Sequence, residues 1–138
     1  MDLRKITETY SVSPQIAVED LPKIAEAGFT RVICNRPDDE NPPSHQAEVI
    51  AAAARDLGLD FQVLPLTHQT LNAENVLKQR TLIDDAEGPV LAYCASGTRS
   101  TICWALGQAG DMPADEILLK AMKAGYDLER IRPALQPD

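Results

Sequence analysis

Apolar and polar positions along the chain switch repeatedly between a period of two and a helical period. "ETYSVS" (residues 8–13) alternates and predicts a short first strand. Over residues 18–28, Val18, Leu21, Ile24 and Ala25 share one helical face. Gly28 stands there as a C-terminal cap, and Pro22 is tolerable only in the first turn. "RVIC" (31–34) is a short continuous apolar strand, followed by the polar, proline-rich loop "NRPDDENPP". Ser44 is placed to cap a helix over 45–58, which Gly58 ends. "DFQVLPL" (60–66) is a third strand. Asn72 is placed to cap a helix over 73–88 with Val76, Leu77, Leu82 and Ile83 turned inward. "PVLAYC" (89–94) lacks alternation and so predicts a fourth strand buried on both faces. Helices follow in "ICWALGQAG", over 112–125 and over 126–135.

Strands alternating with helices predict an α/β fold. Its centre is a mostly parallel sheet of about four to five strands with helices on both faces, three layers in all. The chain has no repeat, linker or low-complexity tract, so one domain over 1–138 is expected. In such sheets ligands collect beyond the carboxyl ends of the strands. The loops beginning at Cys34, Pro65 and Cys94 therefore share one rim, and a site is expected there.

Composition narrows the function. With 44% hydrophobic and 25% charged residues the chain matches an ordinary globular protein, and with only 4% aromatics its interior must be filled by aliphatic packing. A net charge of −8 disfavours nucleic acid and anionic lipid as partners. No run of about 18 apolar residues or signal-peptide pattern is present, so a cytoplasmic location is expected. Three cysteines, Cys34, Cys94 and Cys103, and two histidines, His45 and His68, include no C-x-x-C pair. A disulfide framework, a metal site and a cofactor are accordingly not expected. Cys103 and, in part, Cys34 suit the role of small buried hydrophobes.

Cys94 does not suit that role, because "CASGTRS" joins a strand to a helix. A sharp turn of this kind presents successive backbone N–H groups to its centre, at the positive end of the helix dipole. Gly97 permits unusual backbone angles, and Ala95, Ser96 and Thr98 are small enough to leave the bowl open. These N–H groups and the Arg99 guanidinium both favour an ionised sulfur, so Cys94 is expected to be a thiolate nucleophile. Arg99 offers a planar fork for two oxygens of an anion. Ser100 is placed to donate a hydrogen bond to the sulfur and ease its departure. Arg36, Asp38 and Asp39 lie on the same rim, either shaping the entrance or forming a solvated polar loop.

A strand, a cysteine, an arginine followed by a serine, then a helix resembles the loop of cysteine-dependent phosphatases and rhodanese-type sulfurtransferases. The longer stretches "VSPQIAVEDLPKIAEAGFTRVICNRPDDE", "LPL" and "VLAYCASGTRS" resemble a small bacterial family, the phosphatase-like domain of beta-lactamase hydrolase-like proteins. The resemblance implies a dual-specificity-phosphatase-like fold. It also implies fusion, in some members, to metal-dependent hydrolase domains linked to sulfide detoxification, and so a metal-dependent persulfide dioxygenase as partner.

The loop departs from the phosphatase pattern in three ways. Four residues separate Cys94 from Arg99 where tyrosine-phosphatase-type loops have five. Tyr93 stands where those enzymes have histidine. The loop "LPLTHQTLNAEN" lacks their acidic aspartate, leaving His68 as the nearby candidate acid, though a surface histidine is the favoured reading of it, with Glu74 already in the helix.

Sulfur transfer between thiolates needs no such acid. The leading expectation is therefore a sulfurtransferase that takes sulfur from thiosulfate or a persulfide onto Cys94. A phosphatase acting on a phosphate ester through a cysteinyl-phosphate is the alternative. A non-catalytic module that binds an anion or a partner is the second alternative.

Overall fold

The computed structural model describes residues 1–136; the last two residues of the expected domain, Pro137 and Asp138, lie outside it. Five strands form one sheet: β1 (Arg4–Lys5), β2 (Tyr10–Ser13), β3 (Arg31–Cys34), β4 (Asp60–Val63) and β5 (Val90–Tyr93). Their spatial order is β1-β2-β5-β3-β4, with β1 antiparallel and every other pairing parallel. β1 pairs through two polar residues with no apolar period, which is why the sequence pattern does not reveal it.

Side chains of β5 alternate between two cores. Val90 and Ala92 pack with Ile33, Trp104, Ile117 and Leu118, whereas Leu91 and Tyr93 pack with Leu21, Ile24, Ile50 and Phe61. The second face is covered by α1 (Leu21–Glu26) and α2 (Ala47–Asp56). The first is covered mainly by α4 (Thr98–Gln108) and α5 (Ala114–Lys123), with α3 (Ala73–Asp84) and α6 (Arg132–Leu135) beside them. This is the expected three-layer α/β arrangement. Burying the central strands on both faces is what lets them be continuous apolar runs.

Several elements differ locally from expectation. The segment expected as a helix over 18–28 is a 3-10 turn, Val18–Asp20, running into α1, with Pro22 in the first turn. Ser44 does not cap α2: its Oγ pairs with His45 Nδ1 at 2.8 Å, and α2 begins only at Ala47. Pro42 and Pro43 lead instead into a 3-10 turn, Pro43–His45, and the Ala47 N–H donates to Asp38 Oδ1 at 2.8 Å. β4 stops at Val63, before Pro65, although Leu64 and Leu66 still donate backbone hydrogen bonds to Cys34 and Asn35. Asn72 caps α3 as expected, its Oδ1 accepting from Asn75 N at 3.0 Å.

Leu77 is turned outward rather than inward, at 65% exposure, while Gln79 is wholly buried. The amide can face the core because it finds polar partners there, and apolar periodicity carries no sign of that. The last expected helix is divided into a 3-10 turn, Glu129–Ile131, and α6.

Candidate active site

The carboxyl ends of β3, β4 and β5 lie side by side, so the three expected loops do meet on one rim. Cys94 follows β5 directly and is fully buried. Gly97, at φ +92°, turns the chain into α4 and donates its N–H to Cys94 Sγ at 3.1 Å. A side chain at Gly97 would collide with the Tyr126 hydroxyl, which donates to Ser96 O at 2.9 Å. The turn is also tied down by Thr101 Oγ1 donating to Gly97 O at 2.7 Å and by Gln15 N donating to Ala95 O at 3.3 Å. Ala95 and Ser96 face solvent, and Ser96 Oγ pairs with Thr98 Oγ1 at 2.9 Å.

Arg99 leaves the first turn of α4 and is held by two other loops. Nη1 donates to Glu40 Oε2 and to Leu66 O, both at 2.8 Å, and Nη2 donates to Glu40 Oε1 at 2.7 Å. The Glu40 carboxylate raises the Arg99 pKa, to which the Cys94 sulfur contributes as well, and Arg99 in turn holds Glu40 below the usual carboxylate range. Nε–H and the second Nη2–H, which share one edge of the guanidinium, have no protein acceptor among the described residues. That edge is the bidentate face suited to a tetrahedral anion.

Glu40 is itself steadied by Arg36, whose Nε donates to its Oε1 at 3.3 Å and whose Nη2 donates to its backbone O at 3.1 Å. Arg36 thus stands at the entrance, whereas Asp38 faces away to cap α2. Sequence reasoning passed over Glu40. It sits in the acidic run "DDE", where nothing in the pattern separates a solvated carboxylate from one reaching Arg99.

The other expectations meet a definite geometry. Ser100 is fully buried, but its Oγ donates to Asn35 Oδ1 at 2.8 Å and not to the sulfur. Tyr93 points away from Cys94 into the α1/α2 core, its ring 6.5 Å from that of Phe61. Its hydroxyl has no partner among the described residues, and burial pushes its pKa up. His68 is exposed in the turn after Leu66 and makes no side-chain hydrogen bond among the described residues. Cys103 is buried in α4 as expected, where burial pushes its thiol up to about 12; Cys34 is raised by burial too.

The site is thus a buried sulfur under a backbone N–H, beside a guanidinium with one open edge. The fold around it is the α/β fold of the cysteine phosphatases. The chain belongs to the family described as "Beta-lactamase hydrolase-like protein, phosphatase-like domain", whose model matches residues 2–111.

It is 33% identical over 109 residues to a beta-lactamase hydrolase-like protein of Agrobacterium fabrum, covering 78% of this chain but only 25% of that protein. The chain therefore spans about a quarter of that relative's length. Among solved structures, a "putative phosphatase" from Neisseria meningitidis superposes with a TM-score of 0.87 at 37% identity, covering 98% of this chain and 96% of the other. A Cys→Ser variant of P. aeruginosa TpbA in complex with pTyr superposes at 0.69 with 17% identity, covering 96% and 80%, and shows likeness of fold alone.

Proposed function

We propose that the chain is a phosphatase that uses Cys94 as nucleophile, with aryl phosphates as its favoured substrate class. The observation that carries this reading is the open edge of Arg99 beside the N–H-bonded Cys94 sulfur. The Neisseria relative's description as a "putative phosphatase" supports it. It also changes the order expected from the loop sequence, which ranked sulfur transfer first.

In this reading the Cys94 thiolate attacks phosphorus while the ester P–O bond breaks, and the leaving oxygen departs with the bonding pair. Water then cleaves the S–P bond, releasing phosphate and restoring the thiolate. The loop N–H groups not already donating to Cys94 or Ser96, together with the Arg99 edge, hold the three equatorial oxygens as charge builds on them. Glu40 is committed to Arg99, and His68 stands exposed with no partner among the described residues to orient it. Without a placed acid, a leaving group that departs unprotonated is favoured, which selects aryl over alkyl esters.

Sulfur transfer remains a second reading, because the four-residue spacing and the missing acid suit it. One preparation tests both. Hydrolysis of an aryl phosphate that disappears in Cys94→Ser supports the phosphatase. A gain of one sulfur atom on Cys94 from thiosulfate, with no phosphate release from any ester, would replace it with the transferase. The metal-dependent dioxygenase partner belongs to that second reading and stands or falls with it.

A further inference from the structure

Behind the anion loop lies a chain of polar side chains with almost no exposure to solvent: Tyr10, Asn35, Gln79 and Ser100. Buried polar groups of this kind are costly unless every one is satisfied, and here every side-chain donor has an acceptor. Asn35 Nδ2 donates to Leu64 O and to Gln79 Oε1, each at 2.9 Å. Gln79 Nε2 donates to Asn35 Oδ1 at 2.9 Å and to Tyr10 Oη at 3.1 Å. Tyr10 Oη donates to Ser100 O at 2.8 Å.

Two backbone carbonyls set the direction of every proton in this chain, because a carbonyl can only accept. Ser100 O obliges Tyr10 to donate to it, so the phenol oxygen must accept from Gln79 Nε2. This turns Gln79 Oε1 toward Asn35 Nδ2. At the other end Leu64 O independently requires Nδ2 of Asn35, and Asn35 Oδ1 is left facing Ser100. An amide oxygen has no proton to give, so the Ser100 hydroxyl must be the donor of the 2.8 Å bond. A hydroxyl has one proton.

We infer that in the resting protein the Ser100 proton is committed to Asn35 and withheld from the Cys94 sulfur, with Gln79 and the Leu64 carbonyl together stopping the Asn35 amide from turning over. The inference rests on Cys94 being the nucleophile. The ionisable groups that sense the Cys94 sulfur are Arg99 from α4, Tyr10 from β2, Cys34 from β3 and Tyr126 beyond α5. The last three are raised by burial and neutral at ordinary pH, so Arg99 is the charged group among the four, and the Gly97 N–H is the donor on the sulfur. Asn35 and Gln79 become determinants of when Ser100 can assist the sulfur's departure.

The test is the pH midpoint of Cys94 alkylation by iodoacetamide, followed by peptide mapping. It is measured for wild type, Ser100→Ala, Asn35→Leu and the double variant, each checked for folding by its melting temperature. A hydroxyl already on the thiolate would contribute about one pH unit or more. Ser100→Ala is therefore expected to move the midpoint by less than about 0.3 unit. Asn35→Leu removes the acceptor, so the Ser100 side chain can turn about its Cα–Cβ bond to bring the hydroxyl to the sulfur, and it is expected to lower the midpoint by roughly half a unit to one unit. That drop should vanish in the double variant, which a purely structural effect of Asn35→Leu would not do.

A rise of one unit or more in Ser100→Ala overturns the inference, and so does an unchanged midpoint in a folded Asn35→Leu. Should Asn35→Leu not fold, Asn35→Ala, which removes the same acceptor, provides the same reading. A lowered midpoint supports the assignment and an unchanged one refutes it. Failure of the nucleophile itself has a different signature: wild-type Cys94 alkylating no faster than Cys34.

Discussion

Glu40 and Arg99 meet end to end, Oε2 on Nη1 at 2.8 Å and Oε1 on Nη2 at 2.7 Å, so that the opposite edge of the guanidinium stays free. The carboxylate both aims Arg99 and places a negative charge close to where an anion would bind. Replacing it should therefore have two opposed effects. Glu40→Gln loosens the aim, which is felt most in the transition state, and kcat/KM is expected to fall roughly tenfold. It also removes a repulsion, so the inhibition constant of inorganic phosphate should change less than about threefold. Steady-state kinetics with phosphate as inhibitor would show the split. A loss carried wholly by the phosphate constant would mean that Glu40 acts on binding alone.

Arg99→Lys keeps the charge and loses the fork, including the bonds to Glu40 and Leu66. A fall in kcat/KM of about 100-fold or more is expected on an aryl phosphate. Arg36 reaches the site indirectly, through Glu40 and through the side chain of Gln15, whose backbone N–H holds the loop at Ala95 O. Arg36→Lys should therefore cost only a few-fold, and equal losses would show that Arg36 meets the substrate directly.

The three cysteines should separate by alkylation rate. Cys94 accepts a backbone N–H and lies beside Arg99, whereas burial raises Cys34 and holds Cys103 up to about 12. At pH 7 to 8, Cys94 should carry nearly all the iodoacetamide label. Equal labelling of the three in the folded protein contradicts the assignment.

Gly97 is fixed by conformation and by space. Its φ of +92° is strained for any other residue, and a side chain there meets Tyr126. Gly97→Ala should cost about 1–3 kcal/mol of stability and abolish turnover, as thermal melts and aryl phosphate assays would register. Tyr126→Phe in the same background relieves only the hydroxyl contact, so activity should stay low.

Alkaline pH should weaken the fold. The Cys103 thiol is raised from an ordinary value near 9.0 to about 12, so the folded state keeps its proton where the unfolded chain has lost it. Its contribution is complete below about pH 8 and disappears as pH rises from 9.0 towards 12, at about 1.4 kcal/mol per pH unit. Cys34 and Tyr10, also raised by burial, act in the same direction. Melting temperature should fall over this range, and Cys103→Ala should flatten part of the fall.

Local pattern was enough to determine a good deal. "RVIC" and "VLAYC" read as buried parallel strands because a strand covered on both faces must be apolar throughout, and both are strands in the sheet. "CASGTRS" read as an anion loop because a cysteine, a glycine and an arginine at a strand-to-helix turn are all local features. In the structure Gly97 makes the turn and its N–H meets the Cys94 sulfur, while Arg99 pairs with Glu40.

What tertiary structure alone decided are the partnerships across long separations. Arg99 and Glu40 are 59 positions apart, Ser100 and Asn35 are 65 apart, and Tyr10 and Ser100 are 90 apart. Nothing local in the sequence marks which residue each of them meets, since a side chain's hydrogen-bond partner is set by which strand ends the sheet order brings together. That is why Ser100 was expected on the sulfur and is found on Asn35. For the same reason Gln79 breaks the apolar period of α3, its amide satisfied inside a core that only the folded chain creates.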